Sequence, residues 1–379
     1  MRGVKAIQWR EKAAGCLGCY SAAVRKERAV PTAEDLLRRL ETLWARGAGI
    51  CAAIKSNRRS CLGLSQALTT PPMARRRKGN PVHGWLILDK PSGIGSTPLV
   101  GKTKWALQAQ KCGHAGTLDP LATGVLAMAL GEATKTVQYV MDGDKSYRFT
   151  VRWGTATNTD DSEGEPTETS DERPTREQIE AAIPQFIGTI QQVPPAYSAI
   201  KINGERSYAL ARKGETPELS ARPIRMDDLH LIEQPDADTA IFEMTCGKGG
   251  YVRAIGRDLG QSLGCFGHIT QLRRTRTGPF TLEDAISLET LEEMRHTPVS
   301  GARLISVATG LDGVPALAVT EAQANQLRNG QAVPAAVSGL EYGSTAWASR
   351  NGVPVAIGQI KGGLLHPERV LLLPDAEGN

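Results

Sequence analysis

Apolar and polar positions along this chain follow two rhythms. Gly84 to Leu88 is an unbroken apolar run entering a glycine-rich turn, DKPSGIGS, over Asp89 to Ser96, whereas Lys145 to Trp153 (KSYRFTVRW) alternates with the two-residue period of a strand. Leu121 to Leu130 is a further apolar element, and a helix is predicted from Gly131 to about Val140. Other helices are predicted over Thr97 to Gln110, whose Val100, Trp105 and Leu107 are read as core, and after the capping box Thr175 to Gln178, with Ile179 and Ile183 inward. Val252, Ile255, Leu259 and Leu263 recur at helical spacing and leave Arg253 in the first turn of that helix. A short basic helix is predicted over Gly204 to Lys213, with Arg206, Arg212 and Lys213, strands at 222–233, 240–246 and Gly267 to Phe280, and a helical region over Thr281 to Met294 closes this part. The polar stretch Thr155 to Pro174, with Asp160, Asp161, Glu163 and Glu165, is read as a solvated surface loop, since its acids do not follow the spacing of a calcium loop.

The two ends differ from this middle. Residues 1–79 carry one amphipathic stretch (Leu36, Leu37, Leu40, Leu43, Trp44) and end in Pro71, Pro72, Met73 and the basic run Arg75 to Lys78. The expectation is a disordered extension, or a biological start at Met73. From about Gly301 short strands, glycines and valines dominate, with a capped helix starting at Thr320 and strands at 353–360 and 369–373. This reads as a small, mostly β second domain.

Composition narrows the class. With 379 residues, 40% hydrophobic and 22% charged, the chain has room for two folded domains. Its formal charge of +5 permits a polyanionic partner. No run of roughly eighteen apolar residues occurs, so no membrane span is expected. Seven cysteines form no regular framework, and the expected setting is the reducing cytoplasm. Cys16 and Cys19 have CxxC spacing, but without a second pair, or a histidine before His83, the spacing is read as fortuitous. In DKPSGIGS the lysine precedes the glycines and neither nucleotide-loop pattern is present, so no dinucleotide or mononucleotide site is expected.

One stretch stands out chemically. His114 to Gly124 reads HAGTLDPLATG; glycines at 116 and 124, and at 113 just before it, are suited to close backbone approach or positive φ, and a single acid, Asp119, is biased away from helix by Pro120. On residue types alone, a turn ending an element explains it. The run nevertheless resembles, at nearly every position, the catalytic motif of the pseudouridine synthases, specifically the bacterial tRNA pseudouridine-55 synthases (the TruB family). DKPSGIGS, Tyr147, the pattern QxPPxYSAxKxxGxxxYxxAR from Gln192 to Arg212, and KGGYVR from Lys248 to Arg253 extend that resemblance over about residues 81–280.

The resemblance implies an α/β (α+β) pseudouridine synthase fold over 80–300, with a mixed, mainly antiparallel central sheet and flanking helices. An RNA-clamping insertion is implied at about 192–220, and a PUA-like RNA-binding β-barrel over 301–374, although a structural cap fits that last pattern too. By the same resemblance Asp119 is the catalytic carboxylate, Arg253 the cation whose fork holds it in two parallel hydrogen bonds, and Tyr147 the ring that stacks on the uracil and takes part in proton removal. Tyr251 lies near the base, Leu272 forms an apolar floor, and His114 contacts the RNA loop as the target flips. Lys90, Lys201, Arg206, Lys248, Arg273 and Arg274, with Arg212, Lys213 and Arg276, are the basic substrate contacts, which position phosphates without reading sequence.

The chemistry implied is an isomerisation of uridine in the T-arm loop of tRNA, needing no cofactor and no metal. Whether Asp119 attacks C1' or removes the 2' hydrogen stays open at this level. The expected partner is tRNA alone, bound by a cytoplasmic monomer with no obligate protein partner. A guide-dependent RNA pseudouridine synthase subunit, or a tRNA-folding protein with secondary catalysis, remains an alternative.

Overall fold

The computed structural model describes residues 79–198, 200–202, 205–207, 219–296, 303–335 and 341–374, with backbone alone at Lys201, Ile202, Glu205, Arg206 and His296. The chain divides into two units, Met1–Arg76 and Arg77–Asn379. The first unit, including the stretch around Leu36, lies outside the described residues, as do Arg77 and Lys78.

The elements begin with β1 (Gly84–Lys90), α1 (Ser96–Ala106), β2 (Cys112–Ala115), β3 (Thr123–Leu130), α2 (Val137–Asp142) and β4 (Lys145–Trp153). A short hairpin β5 (Thr155–Thr157) and β6 (Pro166–Thr169), then α3 (Arg176–Ala182) and β7 (Gly188–Gln192), lead to the arm, where β8 (Lys201–Ile202) pairs β9 (Glu205–Arg206). Next come β10 (Arg222–Asp236), β11 (Thr239–Cys246), α4 (Val252–Ser262), β12 (Gly267–Thr277), β13 (Phe280–Thr281), β14 (Ala285–Ile286) and α5 (Leu288–Glu293). The chain then forms β15 (Ala316–Ala318), α6 (Glu321–Arg328), β16 (Val333–Pro334), β17 (Thr345–Arg350), β18 (Val353–Lys361) and β19 (Leu364–Val370).

The main sheet runs β14-β1-β3-β12-β4-β11-β10-β7, with β2 on β3 and β13 on β12. It is mixed and mainly antiparallel; β1 with β14 and β12 with β3 are the parallel pairs. The two rhythms of the sequence map onto it. In β1 and β3 the two alternating sets are both buried: Leu86, Leu88, Leu126 and Met128 join one core, and Trp85, Ile87, Val125 and Ala127 join the other. In β4 Tyr147, Phe149, Val151 and Trp153, with Lys145 at its start, are buried, while Arg148 and Arg152 face water.

Three sequence expectations need correction here. Trp105 is not core: it is 51% exposed, with the Arg295 guanidinium 4.2 Å over its ring, because α1 ends one residue later and its inward face is carried by Leu99, Thr103 and Ala106. The helix expected from Gly204 does not include Glu205 and Arg206, which form a strand; Arg212 and Lys213 lie outside the described residues. The last strand is Leu364–Val370 rather than 369–373.

The carboxy-terminal strands form a second sheet, β15-β17-β18-β19-β16, open between β15 and β16. Leu317, Leu327, Ala346, Val355 and Leu365 make its own core against α6. Its other side is not free: Trp347, Ile357 and Leu371 share a cluster with Trp85 and Ile87 of β1. Lys135 Nζ adds a 2.7 Å hydrogen bond to the Val370 carbonyl.

Candidate active site

Asp119 sits on the loop between β2 and β3, and almost everything that shapes this loop comes from the DKPSGIGS stretch. Lys90 is fully buried, and its Nζ donates to the carbonyls of Pro91 (2.9 Å), Pro120 (3.1 Å) and Ala122 (2.5 Å). Ser96 Oγ accepts from the Leu118 N–H at 2.8 Å and donates to the Leu118 carbonyl at 2.9 Å, and the Gly93 N–H reaches the Pro120 carbonyl at 2.9 Å. Backbone on both sides of Asp119 is therefore pinned while its carboxylate stays 41% exposed. Lys90 was expected among the substrate contacts; its buried amine is instead a staple for the loop, since burying an ammonium requires that its donors be satisfied internally.

The glycines divide by geometry. Gly116 (φ +87°) and Gly124 (φ +96°) occupy the region that favours glycine, whereas Gly113 has no atom within 4 Å of a built Cβ and no positive φ. The expectation for Gly113 is thus not met.

Arg253, in the first turn of α4, meets Asp119 with Nη2 at 2.8 Å from Oδ2. The contact is one-pronged rather than the parallel fork expected, because the other donors are taken. Nη1 donates to the Thr159 carbonyl and Nη2 also to the Tyr197 carbonyl, both at 2.8 Å, while Nε faces Asp161 Oδ2 at 3.5 Å. The guanidinium is 6% exposed, so these partners replace its water.

The acidic stretch read as solvated is exposed at Glu163 and Glu165, as expected, but not at Asp160 and Asp161, and that is the largest correction. Asp161 is 3% exposed, its Oδ1 accepting from Thr159 Oγ1 at 2.5 Å and from the Glu163 N–H at 3.1 Å. Asp160 is half-buried, and this partial burial pushes its carboxyl up to about 6 against the pull of Arg257 and Arg253. The stretch is stitched to β12 by the hydrogen bonds of Ser162 N–H to the Ile269 carbonyl and of Ile269 N–H to the Asp160 carbonyl. A signal existed in the sequence: an arginine beside the apolar stripe of α4 must find buried anions if that stripe packs inward.

Tyr147 of β4 stands opposite Arg274 of β12 across the ladder. Arg274 is 2% exposed, with Nε donating to the Val125 carbonyl at 2.8 Å and Nη2 to the Gly116 carbonyl at 3.1 Å. Its guanidinium also lies within electrostatic reach of the Tyr147 hydroxyl, whose pKa burial drives upward. Arg274 was expected to hold phosphate, but a side chain so deeply buried and committed to the Val125 and Gly116 carbonyls cannot reach one. Leu272 lines the same core as Tyr147. Tyr251 precedes α4 with its backbone clasped by the Gln192 side-chain amide, at 2.9 Å to N and 3.1 Å to O. Gln192 is 1% exposed, and only its place in the arm motif marked it. The His114 Nδ1 is buried and has no hydrogen-bond partner among the described residues, and burial lowers the ring's pKa.

The remaining basic residues are dispersed. Arg273 forks onto Asp89 at 3.0 and 2.7 Å, Lys248 pairs with Asp142 at 2.6 Å, and Arg276 Nε reaches Ser146 Oγ at 3.3 Å. Lys201 and Arg206 have described backbone only. Among the described residues no three His, Cys, Asp or Glu side chains group as metal ligands.

Lys90 makes the loop sensitive to alkali. Burial lowers its ammonium from 10.5 to about 8, partly offset by Asp119. Charged Lys90 therefore costs folding energy at neutral pH, a cost relieved as pH rises from about 8 toward 10.5 while the unfolded chain keeps its proton. A neutral amine has one donor fewer for three carbonyls. Single-turnover rate is expected to fall as pH rises through about 8, without a parallel fall in thermal stability, and a slower but flat profile is expected for Lys90→Met. A wild-type rate unchanged through that range would contradict the role.

Comparison with known proteins places the chain in a family. The family model described as TruB family pseudouridylate synthase (N terminal domain) matches residues 104–252, and that of the tRNA pseudouridylate synthase B C-terminal domain matches 253–303. The chain is 57% identical over 298 residues to tRNA pseudouridine synthase B of Dinoroseobacter shibae, covering 79% of this chain and 98% of that protein. It is 52% identical over 309 residues to the protein of the same name from Caulobacter vibrioides, covering 79% and 100%. Among solved structures, a chain of a Cbf5-Nop10-Gar1 complex superposes with a TM-score of 0.61 at 24% identity, covering 76% of this chain and 85% of that one, a likeness of fold. With two family models matching residues 104–252 and 253–303, and with these curated relatives matched over nearly their full lengths, the chain belongs to the TruB family of pseudouridylate synthases.

Proposed function

We propose that this protein is a tRNA pseudouridine synthase that isomerises uridine in the T-arm loop of tRNA. The observation that carries the reading is the Asp119 carboxylate, partly exposed on a pinned loop and oriented by a buried arginine. The reaction breaks the N1–C1' bond, turns the retained base and forms C5–C1'; C5 gives up its hydrogen and N1 gains one, so no atom is lost overall. An electron-deficient sugar carbon is helped by a carboxylate beside it, and an arginine donor fixes the direction of that carboxylate. Asp119 and Arg253 fill these two roles. Tyr147 supplies the ring against the base, Leu272 the apolar surface beneath it, Tyr251 a second ring, and His114 contact with the opened loop, offsetting stacking lost when the base is extruded.

Lys248, Arg273, Lys201 and Arg206 belong to the surface that positions phosphates in this reading, with Lys90 and Arg274 acting from below on the loop itself. The carboxy-terminal sheet is a PUA-like RNA-binding module, and the enzyme works in the cytoplasm as a monomer on tRNA without a guide. Site-resolved mapping of pseudouridine on an unmodified tRNA transcript treated with purified protein tests reaction, RNA class and position together. One new pseudouridine, in the T-arm loop and made without added guide RNA, is the expected result; an unmodified transcript overturns the reading.

A further inference from the structure

Two arginines one turn apart on α4 grip the same two segments. Arg253 donates to the Thr159 and Tyr197 carbonyls, each at 2.8 Å. Arg257 donates from Nη1 to Asp160 Oδ2 at 2.9 Å and from Nη2 to the Val193 carbonyl at 2.7 Å. Thr159 and Asp160 are neighbours in the loop between β5 and β6, and Val193 and Tyr197 bracket Pro194 and Pro195 at the root of the arm. The spacing of four places both side chains on one helix face, so the contacts form two parallel rungs.

The rungs are mechanically linked. Proline fixes φ, so two consecutive prolines limit how far the Val193 end of the root can move without carrying the Tyr197 end along. The Tyr197 carbonyl shares Arg253 Nη2 with Asp119. A shift at the Arg257 rung is thereby passed to the nitrogen that orients the catalytic carboxylate. The Arg257 guanidinium is only 19% exposed and is committed to Asp160, Asp258 and Val193, so it acts through Arg253 rather than on RNA.

We propose that Arg257 is a positioning residue for catalysis, anchoring the arm root to the Asp160 loop and thereby holding Arg253, and through it Asp119, in register. The inference rests on the pseudouridine synthase reading of the site.

The test uses the full chain with unmodified tRNA transcript, comparing single-turnover rate, tRNA affinity and melting temperature for Arg257→Met, Arg257→Lys and Asp160→Asn. Misplacement of reacting groups by a fraction of an ångström to an ångström is costly, so Arg257→Met is expected to slow the bound complex by about 10- to 100-fold, with tRNA affinity within about threefold. Arg257→Lys keeps the pair with Asp160 but not the fork and is expected to recover part of the rate. Combined with Arg253→Lys, the losses are expected to be less than multiplicative, as for residues acting through one contact. A merely structural arginine would lower the melting temperature and leave the rate of the folded complex within about twofold of wild type, and that result, or multiplicative losses, overturns the proposal. If Arg257→Met does not fold, Asp160→Asn decides: a slowing of about fivefold or more supports the proposal and a rate within about twofold overturns it. Wild-type protein that makes no pseudouridine would instead overturn the functional reading beneath it.

Discussion

Asp119→Asn is expected to lower single-turnover pseudouridine formation by about 10⁴-fold or more, the scale seen when the group that acts on the reacting atoms is removed. Asparagine keeps the size of the side chain and one acceptor oxygen for Arg253 Nη2, so the loop held by Lys90 and Ser96 has no reason to move. What disappears is the negative charge and the lone pair able to serve as nucleophile or base. Arg253 does not become an unpaired buried cation, since Asp161 faces its Nε at 3.5 Å. Melting temperature and tRNA affinity are therefore expected to stay near wild type, which separates a chemical role from a binding one. Retention of more than about a hundredth of the wild-type rate would remove Asp119 from the chemistry.

Gly124→Ala is the second change with a large expected effect, and it acts on the fold beneath the same loop. Gly124 pairs with Arg274 where β3 joins β12, at φ +96°, and a Cβ there would lie 2.1 Å from the Arg274 carbonyl oxygen and 3.0 Å from its C and N. All three are backbone atoms of a central strand, so no side chain can swing away to make room. The ladder must part at Arg274, the residue that braces Gly116 and stands opposite Tyr147. A destabilisation of at least about 3 kcal/mol is expected, in line with the large costs of overpacking and backbone strain, together with loss of activity in whatever folds. Gly113→Ala, just before the same motif, is the control, expected to stay within about 0.5 kcal/mol because its Cβ would meet nothing within 4 Å. Equal melting temperatures for the two variants would show that β3 and β12 tolerate separation there.

The sequence and the structure agree most closely where a residue's neighbours along the chain decide its fate. The alternation of KSYRFTVRW is the strand Lys145–Trp153, and the capping boxes at Thr175 and Thr320 are present at the helix starts. They diverge where charge is concerned. Lys90 and Arg274 read as cations for RNA and are among the most buried side chains described, while Asp160 and Asp161 read as solvated and are the anions that settle α4. Trp105 diverges in the opposite sense, an aromatic left at the surface against Arg295.

By itself, then, the sequence determined the acid at the centre of HAGTLDPLATG, the strands and helices that carry it, and the family to which those motifs point, because motif order and periodicity are properties of adjacent residues. The tertiary structure decided which cation serves which anion: Arg253 between Asp119 and Asp161, Arg257 on Asp160, Arg274 beneath Gly116, Lys90 under Pro120 and Ala122. Desolvation is the reason. A charged side chain looks the same in sequence whether it meets water or a buried partner, and only packing between segments far apart in the chain removes the water and makes the partner obligatory.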